Sequence, residues 1–112
     1  MRSVDDEYVE AVLSLVESIP PGRVMSYGAV AEVVGAALER GCPRLIGAVM
    51  ASYGGAVPWW RVVTASGRVP PGHEVAALRE LVTEGCPLSA DGKRVDMRRA
   101  AWRPPSTRPL PP

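Results

Sequence analysis

Apolar residues recur at helical spacing near the start of the chain: Tyr8, Val9, Val12, Leu13, Val16 and Ile19. That spacing puts them on one face and predicts a helix over about Val4 to Ser18. Ser3 with Asp6 has the form of a capping box, and Pro20-Pro21-Gly22 stops the helix. Arg23-Val24-Met25 reads as a brief extended link. Ser26 then has the chemistry of an N-cap for a short helix from Tyr27 to Val34, with Val30, Ala31 and Val34 inward and Gly35 as its end. Ala36 to Arg40 is compatible with one more helical turn, broken at Gly41. Pro43 suits a first helical position, so a further helix is expected from Pro43 to Ser52. Its inward residues would be Leu45, Ile46, Val49 and Met50, leaving Arg44, Gly47, Ala48 and Ala51 on the other side.

Pro58-Trp59-Trp60-Arg61-Val62-Val63 starts with a rigid proline and runs into β-formers, so it reads as a short extended piece. On a strand the two indoles would point to opposite faces. Ser66-Gly67 marks a turn and Pro70-Pro71-Gly72 a loop. Glu74 to Glu84 is the last clear helix, with Val75, Leu78, Leu81 and Val82 expected inward and Gly85 as its stop. His73, just before it, reads as a solvent-exposed histidine. A polar turn at Asp91-Gly92 follows, then Val95, Met97 and Trp102.

Two short helices joined by a Gly-containing turn have the form of a helix-turn-helix, with Pro43 to Ser52 in the recognition position. Many such pairs bind nothing, and the pattern alone leaves both readings open. The small residues Gly47, Ala48 and Ala51 make a smooth face that lets a helix backbone come close to whatever it meets. Arg44 stands at the positive end of the helix dipole, where a cation is mildly unfavourable, which favours a task for it over a plain surface position.

With 112 residues, the chain makes at most one domain. We assign residues 1–103 to it and expect the Pro-rich residues 104–112 to be a disordered tail. The lack of any long apolar run excludes a transmembrane segment, and the N-terminus does not resemble a signal peptide. Two cysteines, Cys42 and Cys86, make neither a disulfide framework nor a zinc site, so a reduced cytoplasm is the default, with no metal or other cofactor expected. The formal net charge is only +1, poor support for nucleic-acid binding by itself. Its distribution is uneven. Acidic residues gather on the first helix, and Lys93, Arg94, Arg98, Arg99, Arg103 and Arg108 gather towards the end.

Taken in order, several stretches resemble the O6-alkylguanine-DNA alkyltransferases. Residues 22–31 resemble the opening of that family's helix-turn-helix, and residues 44–50 its recognition helix. Pro58 to Val63 is similar to the Pro-Cys-His-Arg-Val active-site motif, with Trp59 in the place of the alkyl-accepting cysteine and Trp60 in that of the histidine. Ser66-Gly67 follows at the family's spacing. Glu84-Gly85 sits where the family has a glutamate that hydrogen-bonds the histidine, and Ala101-Trp102-Arg103-Pro104 resembles the end of alkyltransferase-like proteins in particular. The fold implied is mainly α: a small helical DNA-binding domain of the alkyltransferase C-terminal-domain type, built on a helix-turn-helix with at most a short hairpin.

The resemblance implies a monomer that binds O6-alkylguanine in double-stranded DNA through the minor groove and turns the nucleotide out of the stack. It further implies that the lesion is flagged for nucleotide excision repair proteins. Arg44 takes the role of a finger filling the vacated stack, and Tyr27 presses on the neighbouring phosphate. Ser26, Gly47, Ala48 and Ala51 complete the expected DNA-binding set, while Trp59, Trp60, Arg61, Val62 and Arg68 are expected at the lesion pocket. The chain departs from the family in a longer loop before Arg44, in Trp60, and in residues 68–73, which lack the tyrosine and serine that the transferases use around the base. Without the motif histidine, the link to Glu84 is expected to be lost. Without a thiol at position 59, the chain is expected not to be an enzyme. Two competitors remain: a transferase using Cys42 or Cys86, and a transcription factor reading undamaged sequence. Residues 44–52 hold few of the donors that base-edge readout needs.

Overall fold

A computed structural model describes the backbone of residues 4–38 and 43–105, and side chains over residues 6–36 and 45–105. The expectations placed on Ser3, Arg40, Gly41, Cys42, residues 106–112 and the side chain of Arg44 lie outside what it describes. Helix α1 spans Val4–Ser18, α2 Tyr27–Leu38, α3 Pro43–Tyr53, α4 Glu74–Thr83 and the short α5 Met97–Ala100. Strand β1 is Met25–Ser26 and β2 is Val62–Val63. The predominance of helix agrees with the sequence reading.

The strands differ from it. β1 and β2 run parallel, Met25 opposite Val62 and Ser26 opposite Val63. A tight turn cannot join parallel strands, so this pair brings together segments that the whole α2–α3 unit separates. On the other flank of β1, the Val24 amide donates to the Ala100 carbonyl at 3.0 Å and the Trp102 amide to the Val24 carbonyl at 2.8 Å. The one hairpin-like feature among the described residues is a single antiparallel bridge, Leu88 to Val95, across the turn at Asp91-Gly92.

This short parallel strip divides two cores. Neighbouring strand residues point to opposite sides, so Met25 and Val62 join Tyr8, Val12 and Val16 of α1, Ile19 just after it, and Val30, Val34, Ile46 and Val49 of α2 and α3. Val24 and Val63 face the other way, against Val69, Ala77, Leu81, Cys86, Val95 and Ala100. Burying each aliphatic side chain contributes about 2 kcal/mol before chain entropy is counted. Gly67 keeps the second half tight. Its φ is +87° and a Cβ there would lie 2.2 Å from the Val95 carbonyl oxygen, so only glycine fits.

Several boundaries and faces moved. Gly35 does not end α2, because the helix-favouring Ala36-Ala37-Leu38 extends it and offsets the glycine's cost of about 1 kcal/mol. Leu45, expected inward, is 46% exposed, and on α4 Val75 and Val82 are 72% and 62% exposed while Ala77 and Leu81 are buried. With Leu78 only partly buried, α4 rests on a narrower stripe than its valines suggested, since apolar spacing does not say how wide the covered face is. α5 was not foreseen. Asp96 caps it by accepting from the Arg98 amide at 3.2 Å.

Candidate functional site: the two tryptophans and the hollow beside α3

Pro58 has φ −72° and ψ 72°, and the chain after it folds into a 3-10 turn over Trp59–Arg61 before β2 begins. The expected extended piece is therefore confined to Val62–Val63. The indoles do not sit on opposite faces of a strand either. They touch edge to face, with ring centres 5.7 Å apart and planes at 83°. From this turn the two rings go to different surroundings.

Trp60 is turned towards Glu84. Its indole Nε1–H donates to Glu84 Oε2 at 3.0 Å, Arg61 Nε donates to Glu84 Oε1 at 3.0 Å, and Arg61 Nη2 forms an ion pair with Oε2. The Gly22 amide adds a bond to Oε1 at 3.2 Å, and Arg61 Nη1 reaches the Ile19 carbonyl at 2.8 Å. The Arg61 guanidinium also lies 5.6 Å from the Trp60 ring centre, within cation–π range. Burial alone would raise the Glu84 carboxyl. The hydrogen bonds from Arg61, Trp60 and Gly22, together with the Arg61 charge, outweigh it and hold the group below the usual glutamate range. The expectation that position 60 loses its link to Glu84 is thus corrected. An indole N–H donates as an imidazole N–H does, and the 3-10 turn delivers it to the carboxylate.

Trp59 instead borders a hollow of about 430 Å3, within the range of small-ligand sites. Gly47, Met50 and Ala51 of α3 form one side, continued by Gly54 and Gly55. Tyr27, at the start of α2, and Pro70, Pro71 and His73, before α4, complete the lining. Gly54 is buried here, and a Cβ on it would press on the end of the Met50 side chain at 3.1 Å and meet Trp59 Cβ at an ordinary contact distance of 3.6 Å. Burial pushes the Tyr27 phenol up, so it stays a neutral donor and acceptor.

Of the residues singled out in the sequence, Tyr27, Gly47, Ala51 and Trp59 meet around this hollow. Ser26 stands next to it and caps α2, its Oγ accepting from the Ala29 amide at 3.0 Å. Ala48 is exposed on α3, and Arg44 falls in the first turn of that helix. The other pocket candidates do not line the hollow. Trp60 and Arg61 are engaged at Glu84, and Val62 is fully buried. Arg68 borders a separate concavity with Thr64, Lys93 and Arg94, beyond Pro71. Met50, Gly54, Gly55, Pro70, Pro71 and His73 were not anticipated. The Gly-Gly and Pro-Pro pairs carried a signal of close approach and fixed turns, whereas His73 carried none.

Cys86 is away from the hollow and buried. Burial and the nearby Glu84 charge push its thiol up, partly countered by Arg23, which disfavours the nucleophilic thiolate. Among the described residues no cluster of three or more potential metal ligands occurs, and no helix is long and apolar enough to cross a membrane.

Similarity to known proteins covers both halves of this arrangement. Residues 7–84 match the family described as the DNA-binding domain of 6-O-methylguanine DNA methyltransferase. A "DNA base-flipping protein" of Escherichia coli is 31% identical over 102 residues, 88% of this chain and 76% of that protein. A protein of the same description from Vibrio parahaemolyticus is 27% identical over 103 residues, 88% of this chain and 99% of its own length. The crystal structure of S. pombe Atl1 with damaged DNA containing O6-carboxymethylguanine superposes with a TM-score of 0.72 at 27% identity, covering 93% of this chain and all of that one. A second S. pombe ATL structure, in complex with DNA, gives 0.71. The chain belongs to the 6-O-methylguanine DNA methyltransferase DNA-binding-domain family, and within it to the alkyltransferase-like proteins.

Proposed function

We propose that this protein binds O6-alkylguanine in duplex DNA, receives the turned-out base in the hollow beside Trp59, and does not take the alkyl group from it. The observation that carries this reading is the hollow itself, with an indole as one wall and the small-residue side of α3 as another. A smooth helix suits close approach to a groove. The exposed Ala48, Ala51 and Ser52 of α3 offer no long donors for reading base edges. Turning a nucleotide out costs a few kcal/mol, less where pairing is already impaired, and an aromatic wall recovers part of the lost stacking.

An indole at position 59 has no thiolate chemistry, and the Cys86 thiol is buried away from the hollow. In this reading Arg44, at the start of α3, fills the vacated stack, and Tyr27 supports the rotated phosphate. Recruitment of nucleotide excision repair proteins follows from the same reading, since a bound lesion that is not repaired must be passed on. The function is that of a monomeric sensor.

The test compares affinity for a duplex carrying O6-methylguanine with the same duplex carrying guanine, alongside mass spectrometry of the protein after incubation. A clear preference for the lesion without a methyl gain is expected. Equal affinities, or one methyl added to the protein, defeat the reading. Arg44→Ala should lower the lesion-to-plain ratio by about 2 kcal/mol, because it removes the group that occupies the gap. A phosphate contact would weaken both duplexes alike.

A further inference from the structure

We propose that His73 is a specificity-determining contact for the alkylated base, donating a ring N–H to the acceptor that O6-alkylation creates on guanine. This rests on the reading that the hollow receives the base. Guanine carries a hydrogen on N1. Its O6-alkyl form does not, so N1 changes from donor to acceptor while the exocyclic amine remains a donor. A hollow that prefers the lesion needs a donor at that edge, because a partner left unpaired after burial is what discriminates between near-identical ligands.

The lining offers few donors. Apart from Tyr27, Trp59 and His73, its side chains are those of glycine, alanine, methionine and proline. In the reading above Tyr27 serves the phosphate, which leaves Trp59 and His73. A base stacked on the Trp59 face lies parallel to that indole. The His73 ring stands 5.7 Å from the Trp59 ring, centre to centre, and is inclined at 64° to it. A ring so inclined does not stack on a base that lies parallel to the indole, and its N–H groups remain available to the base edge. Trp59, as the stacking surface, cannot also serve that edge.

The His73 imidazole is not committed to the helix behind it. His73 is the N-cap residue of α4, yet its side chain makes no capping hydrogen bond, and its carbonyl oxygen alone accepts from the Ala77 amide at 2.9 Å. The residue is exposed, so replacing its side chain leaves both cores intact. Neutral imidazole can present an N–H from either nitrogen, and the protonated ring presents both.

The experiment measures lesion-to-plain affinity ratios for wild type, His73→Phe and His73→Gln, with thermal unfolding as the folding control. Phenylalanine keeps a flat ring without the nitrogens, and glutamine keeps a donor. His73→Phe should lower the ratio about tenfold, and His73→Gln should hold it within about threefold of wild type. A duplex carrying 1-deaza-O6-methylguanine, in which the N1 acceptor is a C–H, should bring wild type down by the same factor and His73→Phe by little more. An unchanged ratio in His73→Phe, or equal losses in the Phe and Gln variants, overturns the proposal. If wild type itself shows no lesion preference, the base-binding reading falls first. If that preference stands and only the His73 results fail, the base is held without this contact.

Discussion

Trp59 and Trp60 are adjacent in the chain, touch edge to face, and belong to opposite kinds of region. Around Trp60, the indole N–H, the Arg61 guanidinium, the Gly22 amide and the Glu84 carboxylate satisfy one another within a few ångströms. Around Trp59 there is a hollow whose lining brings small side chains, two prolines and few hydrogen-bonding groups. One region ties distant segments of the chain together, and the other is the hollow that we propose receives the base. The contrast shows how a turn can serve both. The Trp60 N–H, the Arg61 guanidinium and the Glu84 carboxylate find their partners inside the protein, whereas the Trp59 indole borders an open hollow.

The comparison breaks most sharply at Glu84. The Arg61 and Glu84 side chains are only 12% and 13% exposed, so Glu84→Ala leaves a guanidinium with the Ile19 carbonyl and no carboxylate. We expect a loss of about 3 kcal/mol in chemical denaturation. A loss under 1 kcal/mol would mean that the cluster does not hold the halves together. Its acid limb is a further check. The Glu84 carboxyl titrates lower in the folded protein than in the unfolded chain, so its stabilisation is complete above about pH 4.5 and fades as pH falls through the folded value. Glu84→Gln should lack that limb in unfolding curves recorded between neutral and acidic pH.

Next in size is the opposite change, Trp59→Leu. Leucine keeps an apolar group beside the second core and removes the stacking wall. Affinity for the O6-methylguanine duplex should fall by about 2 kcal/mol, while unfolding free energy shifts by about 1 kcal/mol or less. If stability falls more than binding, Trp59 belongs with its neighbour as a packing residue.

The smallest effect is expected from Trp60→His. Histidine restores a ring N–H that can reach Glu84, so stability should stay within about 1 kcal/mol of wild type and lesion binding should barely change. Trp60→Phe, which has no donor, should cost more than Trp60→His despite its better volume match. The reverse order would show that the indole contributes bulk and not its hydrogen bond to Glu84.

How much of this was legible beforehand varied by element. α1 was readable to its ends, because four buried apolar residues at helical spacing and a Pro-Pro-Gly stop leave few alternatives. The start of α2 followed from Ser26, an N-cap that the geometry bears out. The family followed from motifs in order, since Pro58 to Val63, Ser66-Gly67 and Glu84-Gly85 constrain one another. Val75, Val82 and Leu45 misled because apolar spacing does not set how much of a helix its neighbours cover.

By itself, then, the sequence determined what is local: helix periods, caps, glycine and proline stops, and the absence of a thiol at position 59. Tertiary structure alone decided what depends on distant segments meeting. β1 pairs with β2 across a gap that contains two helices, Trp60 finds Glu84 from 24 positions away, and His73 comes to stand beside Trp59. The physical reason is that hydrogen bonds and ring contacts act over a few ångströms. Which side chains come that close is set by how the two cores close on the strip between them, and no spacing along the chain encodes it.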